Sequence, residues 1–359
     1  MFMFRSRKTN LTRRLVKARK RRGGNETGRP ADDDRDQTGV FELLKQLQEN
    51  QLEMLLRAVD TRGQDAGNCV LVARTAVAPS RRVDYDDDRQ PQQPHVSFCR
   101  AWRWPDLRKG GELKRLPMCR SASDSVYDCC NPYHWSRLLQ PETPPPPYSR
   151  IDMDQLKPEE RAPSEVPLVC RDSYPGSLTT NGDSVNPLEW CKLAYWELSE
   201  RVGPLFPVEP PAVNVFGNVS HPDGLSLEML AQHSFSPSKS AVQKARCKIG
   251  LGVTLSREGG RVWVYNRSDN PVFVNSLTLE DPDCPLPTRV PAEHCLCVFD
   301  PTRAAQRTFG WGFGHRPPIG PVDPNSIRIS FAKGWGPNYS RREITSCPCW
   351  LEILLAPCR

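Results

Sequence analysis

Apolar residues recur at helical spacing through FELLKQLQENQLEMLLRAV, where Leu44, Leu47, Leu52, Leu55, Leu56 and Val59 are separated by Glu, Gln and Lys. That period predicts an amphipathic helix with order beginning near Phe41, ending before Gly63 and Gly67 and covering the core of its own domain. A partner-binding helix is the competing reading. NCVLVARTAV is short, apolar and β-branched, as a buried strand is. After a polar stretch from Pro79 to Pro94, HVSFCRAWRWPDL reads as a second strand that enters a turn at Pro105.

Between Pro141 and Pro187 the pattern stops. Ten of these 47 residues are proline and few are large and apolar, so the segment cannot bury enough surface to offset its ordering entropy. It reads as an extended linker. Beyond it, LAYWEL, AVNVF, IGLGVTL, VWVYN, PVFVNSLTL, LCVFD, IRISFA and PCWLEILL are short, rich in Val, Ile and aromatics, and bounded by Gly, Pro, Asn or Asp. Strands at that spacing predict an antiparallel sandwich. One helix is expected among them, capped by Ser236-Pro237 and running through SKSAVQKAR to Arg246. The organisation is an α+β two-domain chain: a leader (1–38), an N-terminal domain (39–139), the linker (140–186) and a C-terminal domain (187–359).

Composition agrees. Of 359 residues 36 are proline, about twice the usual share of roughly 5%, which the linker and turns absorb. No run approaches the 18 or so apolar residues of a membrane span. The N-terminus is charged throughout and lacks the apolar core of a secretory signal, so a cytosolic or nuclear protein is expected, its 14 cysteines reduced. The net charge of +7 is local: residues 1–30 hold 11 Lys and Arg against Glu26 alone, which is +10 and leaves −3 for the rest. Arg13, Arg14, Lys17, Arg19, Lys20, Arg21 and Arg22 thus form an arm suited to nuclear import or a polyanion, or else a solvated tail. With Asp32, Asp33, Asp34 and Asp36 following, the leader reads as disordered and charge-segregated.

Three features suggest chemistry. DCCNPYHW places Cys129 five residues before His134, with Cys119 ten residues earlier, which suits a closed tetrahedral zinc site. Cys69 is the preferred fourth ligand, Cys99 and Cys130 compete, and plain burial of the cysteines is the alternative. Pro145, Pro146, Pro147 and Tyr148 form a PPxY pattern that a WW domain reads as a preformed polyproline helix; a stiff spacer is the alternative. KGWGPNYSRR (333–342) reads as an exposed basic loop suited to phosphate, with Lys244 and Lys248 on one face at a helix end, or as an ordinary solvated loop. Cys295/Cys297 and Cys347/Cys349 read as pairs on one face of a strand. No phosphate-binding glycine loop, zinc-protease motif or serine-hydrolase elbow occurs, and no enzyme is expected.

CRAWRWPDL, CCNPYHW, WCKLAYWELSERVGPLF, KIGLGVTL, VWVYNRSDNPVFVNS and the run from ISFAKGWG to TSCPCWLEILL together resemble the Smad family over residues 40–359. The resemblance implies a zinc-containing N-terminal Mad-homology domain and a C-terminal Smad/FHA-like β-sandwich with helices at its ends. It also implies structural zinc on Cys69, Cys119, Cys129 and His134. The chain ends LLAPCR and not in the family's phosphorylatable serine tail, and the stretch matching its DNA-reading hairpin, Ser80 to His95, sums to −1. With PPPPYSR in the linker and MFRSRKTNLTRRL near the start, the chain resembles the inhibitory Smads.

That implies an adaptor held in nucleus and cytoplasm and recruited to activated type I receptor kinases of the transforming growth factor β and bone morphogenetic protein family. It would contact them through Lys244, Lys248, Lys333 and Arg341, with Gly334, Trp335 and Gly336 in the same loop. It would block other Smads and recruit a WW-containing HECT ubiquitin ligase through PPPY. LSLE (225–228) departs from the family's FCLG-type segment and weakens the helix-side contacts. The alternative is a nuclear transcriptional repressor touching DNA or Smad complexes through the zinc domain and basic arm.

Overall fold

A computed structural model of the chain describes residues 7–22, 33–65, 67–74, 93–122, 124–139, 188–218, 223–232, 240–279, 286–310 and 325–356. They fall into two compact units, Met1–Leu138 and Leu139–Arg359. No helix among them is long and apolar enough to cross a membrane.

The first unit is mostly helical: α1 (Arg7–Arg22), α2 (Asp33–Gln46), α3 (Glu49–Asp60), β1 (Leu71–Ala73), α4 (Pro94–Trp102), β2 (Leu113–Arg115), β3 (Tyr127–Cys129) and β4 (Trp135–Leu138). The leader is therefore not wholly disordered. Leu11 and Leu15, four apart on α1, are buried with Leu44, Leu52, Leu55, Phe98 and Trp102. The basic residues lie around that seam: Arg7 pairs with Glu53, Arg14 with Asp60 at 3.2 Å, and Lys8 donates to the Lys45 carbonyl at 2.7 Å. A composition count sees the charge and misses the two leucines that dock it.

The single helix expected over 41–59 is two. The chain breaks at Leu47–Gln48, where the Gln51 side chain accepts the Gln48 N–H at 2.9 Å and starts α3. All six leucine and valine positions of the pattern are buried. The strand expected at HVSFCRAWRW is helix α4, with Pro94 at its first turn. Its Phe98, Ala101 and Trp102 join the helical core while Val96 and Cys99 join a second cluster with Trp104, Leu107, Leu113 and Trp135. Buried on both sides, it shows no polar face, so its apolar residues mimic strand alternation.

The second unit is the expected sandwich. Its strands are β5 (Cys191–Glu197), β6 (Glu200–Val208), β7 (Ala212–Phe216), β8 (Leu225–Ser226), β9 (Val253–Glu258), β10 (Arg261–Asn266), β11 (Val272–Ser276), β12 (Thr288–Val290), β13 (His294–Phe299), β14 (Ser326–Phe331) and β15 (Trp350–Leu355). One sheet runs β12-β11-β14-β15-β5-β6; the strands of the other run β13-β10-β9-β7-β8. Val274, Ile329, Leu351 and Tyr195 stand in register across four strands of the first sheet, all fully buried. They share one core with Val264, Leu255 and Val213 of the second. Pairing is antiparallel except for the short β7–β8 contact.

Among the described residues three α-helices accompany the strands: α5 (Leu227–Gln232), α6 (Ser240–Arg246) and α7 (Pro301–Gly310). Only α6 was expected, and its proposed cap at Ser236-Pro237 lies outside the described residues, as do the linker with Pro145–Tyr148 and most of the 80–95 stretch. Cys347 and Cys349 precede β15 and do not share a face: Cys347 joins a cluster with Trp335 and Trp350, and Cys349 joins the main core.

Candidate metal centre and basic loop

Cys69 lies just before β1, Cys129 ends β3, Cys119 follows the turn after β2, and His134 precedes β4. Pairing of β1 with β3, Leu71 opposite Cys129, brings the first two together although 60 residues separate them. The four donor atoms lie within 4.8 Å of one another. Cys69 Sγ is 3.8 Å from Cys119 Sγ and 3.5 Å from His134 Nδ1, and Cys129 Sγ is 3.4 Å from the same nitrogen. A tetrahedral zinc with Zn–S of about 2.3 Å and Zn–N of about 2.0 Å would space its ligands by about 3.8 Å (S to S) and 3.5 Å (S to N). The residues fit the ion. Four protein donors would fill such a site and leave no position for a reacting water, so a zinc held there would be structural.

His134 is held for that task. Its Nε2 lies 3.2 Å from the Gly67 carbonyl, to which it donates, and this turns Nδ1 toward the sulfurs. Hydrogen bonding with Cys129 holds Cys119 far below the usual thiol range, and the same pairing pushes Cys129 far above it. Burial works against a charged imidazole, but hydrogen bonds to Cys119 and Cys69 outweigh it and raise His134 to about 9. A dication at the centre would take the place of these shared protons. The competitors Cys99 and Cys130 are buried in two different hydrophobic clusters and stand outside the group.

Sequence reasoning missed the layer behind the ligands. Asp128, 5% exposed, takes Arg115 at 3.0 Å and Arg74 at 3.3 Å on one oxygen and His95 Nδ1 at 3.3 Å on the other. His95 stacks on Trp135 at 4.3 Å, and the Trp135 indole donates to the Cys129 carbonyl at 2.8 Å. These residues are scattered through the sequence, and no spacing announces them.

The 333–342 loop differs from the expectation of an exposed turn. Gly334, Trp335 and Gly336 are buried; Trp335 is 9% exposed and packs with Phe273, Ile344, Cys347 and Trp350. A Cβ on Gly334 would meet the Tyr339 ring at 2.5 Å and force the ring to move, and Gly336 has φ +104°, a conformation that favours glycine. Gly336 N–H donates to the Arg341 carbonyl at 2.8 Å and closes the loop. Lys333 and Arg341 are half-buried, and Arg342 is exposed.

Lys244 and Lys248 are both exposed, but α6 ends at Arg246, so Lys248 lies in the turn beyond it and the pair does not share a helix face. The segment 347–349 joins the two basic elements: Cys347 Sγ reaches the Lys333 carbonyl at 3.8 Å, and Cys349 Sγ reaches the Val242 carbonyl of α6 at 3.7 Å. A bidentate pair, Arg246 to Glu197 at 2.6 and 2.7 Å, fixes α6 against the end of β5, and sequence reasoning missed it too.

Comparison with known proteins agrees with both halves. The MH1 domain family matches residues 36–139 and the MH2 domain family residues 188–356. Mothers against decapentaplegic homolog 6 of Gallus gallus is 42% identical over 333 residues, covering 88% of this chain and 74% of its own. The chain belongs to the Smad family. Homolog 7 of Homo sapiens, 39% identical over 335 residues (87% of this chain, 76% of the relative), sets it with the inhibitory Smads of transforming growth factor β and bone morphogenetic protein signalling. Dwarfin sma-3 of Caenorhabditis elegans is more distant, 30% identical over 287 residues and 73% of this Smad.

Proposed function

We propose that this inhibitory Smad is a non-enzymatic adaptor that occupies activated type I receptor kinases and so keeps other Smads from them. It would reside in nucleus and cytoplasm and gather at receptors when these are phosphorylated. The observation that carries the reading is the preformed basic loop. Trp335 anchors it, Lys333 and Arg341 flank the anchor, and α6 with Lys244 is tied to the same segment. Guanidinium and ammonium groups on a rigid frame suit an acidic, phosphorylated peptide, because little side-chain or loop entropy remains to be lost on binding. Pro145, Pro146, Pro147 and Tyr148 would recruit a WW-domain HECT ubiquitin ligase to the same receptor.

The alternative is a nuclear repressor contacting DNA or Smad complexes through the zinc domain and basic arm; the docking of α1 on its own unit through Leu11 and Leu15 speaks against a freely reaching arm. The deciding experiment is binding of the full chain to a type I receptor cytoplasmic domain, phosphorylated and unphosphorylated, at two salt concentrations. Phosphate-dependent, salt-sensitive binding is expected. Binding to neither form would refute the receptor reading and return the repressor.

A further inference from the structure

The ligand Cys119 has a neighbour that the other two sulfurs lack among the described contacts. Ser121, 4% exposed, places its hydroxyl 3.3 Å from Cys119 Sγ. The serine is not loosely held. Its carbonyl accepts from the Arg115 guanidinium and from Asp124 N–H at 3.2 Å. Arg115 in turn bonds Asp128 at 3.0 Å and lies over the Trp135 ring at 4.8 Å, and Trp135 donates to the Cys129 carbonyl. One guanidinium therefore clamps the turn that carries Cys119 to the strand that carries Cys129. The Ser121 backbone is thereby held where its hydroxyl oxygen lies 3.3 Å from the sulfur.

We propose that Ser121 is a positioning residue that donates its O–H to the Cys119 thiolate and thereby lowers that sulfur's reactivity in the zinc-loaded site. A metal-bound thiolate keeps a nucleophilic lone pair, and a hydrogen bond to sulfur withdraws density from it and must be surrendered when the sulfur attacks an electrophile. Cys69, the half-buried ligand, sits against Cys119 and His134 with no hydroxyl among its described contacts, and serves as the internal reference. The inference rests on the metal-site geometry and is independent of receptor binding.

The test is alkylation of the zinc-loaded full chain by iodoacetamide. The thiolate attacks the CH2 carbon, an S–C bond forms, the C–I bond breaks and iodide leaves. Zinc release is followed with a chromogenic chelator, and peptide mass spectrometry reads the rate at each cysteine. Ser121→Ala is expected to raise the Cys119 rate roughly three- to tenfold, the size of one hydrogen bond to a charged group partly lost in the reaction, and to leave Cys69 unchanged. Ser121→Thr, which keeps the hydroxyl, should restore the slow rate. Loss of zinc by Ser121→Ala with retention by Ser121→Thr also supports the role. An unchanged Cys119 rate, equal acceleration at Cys69 and Cys119, or loss of zinc by both variants overturns it.

Discussion

Truncating Leu15 to alanine tests whether the basic arm is part of the first unit or a tail upon it. Leu15 is fully buried among Leu52, Leu55 and Trp102, and its carbonyl accepts the Trp102 indole at 3.4 Å. A buried Leu→Ala change costs about 2–5 kcal/mol. For a unit of this size that is a drop on the order of 10 °C in its unfolding midpoint. The ion pairs of α1 cannot supply such an effect: the side chains of Arg14 and Asp60 are 57% and 49% exposed, and pairs so solvated contribute about 1 kcal/mol at most. Leu15→Ala should therefore lower the first transition in calorimetry of the full chain and speed amide exchange in α3, residues 49–60. Arg14→Ala should do little. A Leu15→Ala midpoint within about 1 °C of wild type would show that α1 contributes no packing, and the leader would revert to a disordered tail.

Four further outcomes are expected. Metal analysis of the full chain should give a single zinc, lost in Cys69→Ser but retained in Cys99→Ser and Cys130→Ser; chelation should lower the first unit's transition and spare the second's. Charge reversal at Lys333 and Arg341 should weaken binding to a phosphorylated receptor domain, with the deficit largest at low salt, where screening is least; unchanged affinity would move the interface elsewhere. Tyr148→Ala should abolish WW-domain binding in a pull-down while receptor binding persists; loss of both would end the division of labour. Gly334→Ala should destabilise the second unit by about 1–3 kcal/mol in denaturant melts, since the added methyl meets Tyr339.

What sequence could reveal divides along a physical line. Strands β11, β14 and β15 announce themselves because they are short runs of Val, Ile, Phe and Leu between turn residues, even though both faces meet core: Val274, Ile329 and Leu351 on one side, Phe273 and Trp350 on the other. Helix α4 does not, because Val96 and Phe98 both meet core, on opposite sides, and no polar stripe remains. The ligands Cys119, Cys129 and His134 are close in sequence and carry their own spacing. Cys69, preferred from sequence over Cys99 and Cys130, is 50 residues from Cys119 and is brought to the group by the β1–β3 register. Arg115, Ser121 and Asp128 were invisible for a different reason: common polar residues acquire a role only through partners that the fold supplies.

The same contrast bears on the receptor contact proposed for the 333–342 loop, which would then recognise more than charge. A string of basic residues gives attraction but little discrimination, because each ammonium or guanidinium reaches many positions at similar cost. Here Trp335 is sunk between Phe273, Ile344 and Trp350, the Gly334 backbone lies against the Tyr339 ring, and Gly336 takes a φ of +104° to turn the chain back to Arg341. The backbone is thus fixed before any partner arrives, and Lys333 and Arg341 leave it from defined points on one closed loop. Screening by salt reduces the attraction but leaves that spacing intact. Affinity should therefore fall with ionic strength while the ratio between phosphorylated and unphosphorylated receptor stays well above unity. A loop that was merely basic would lose both together.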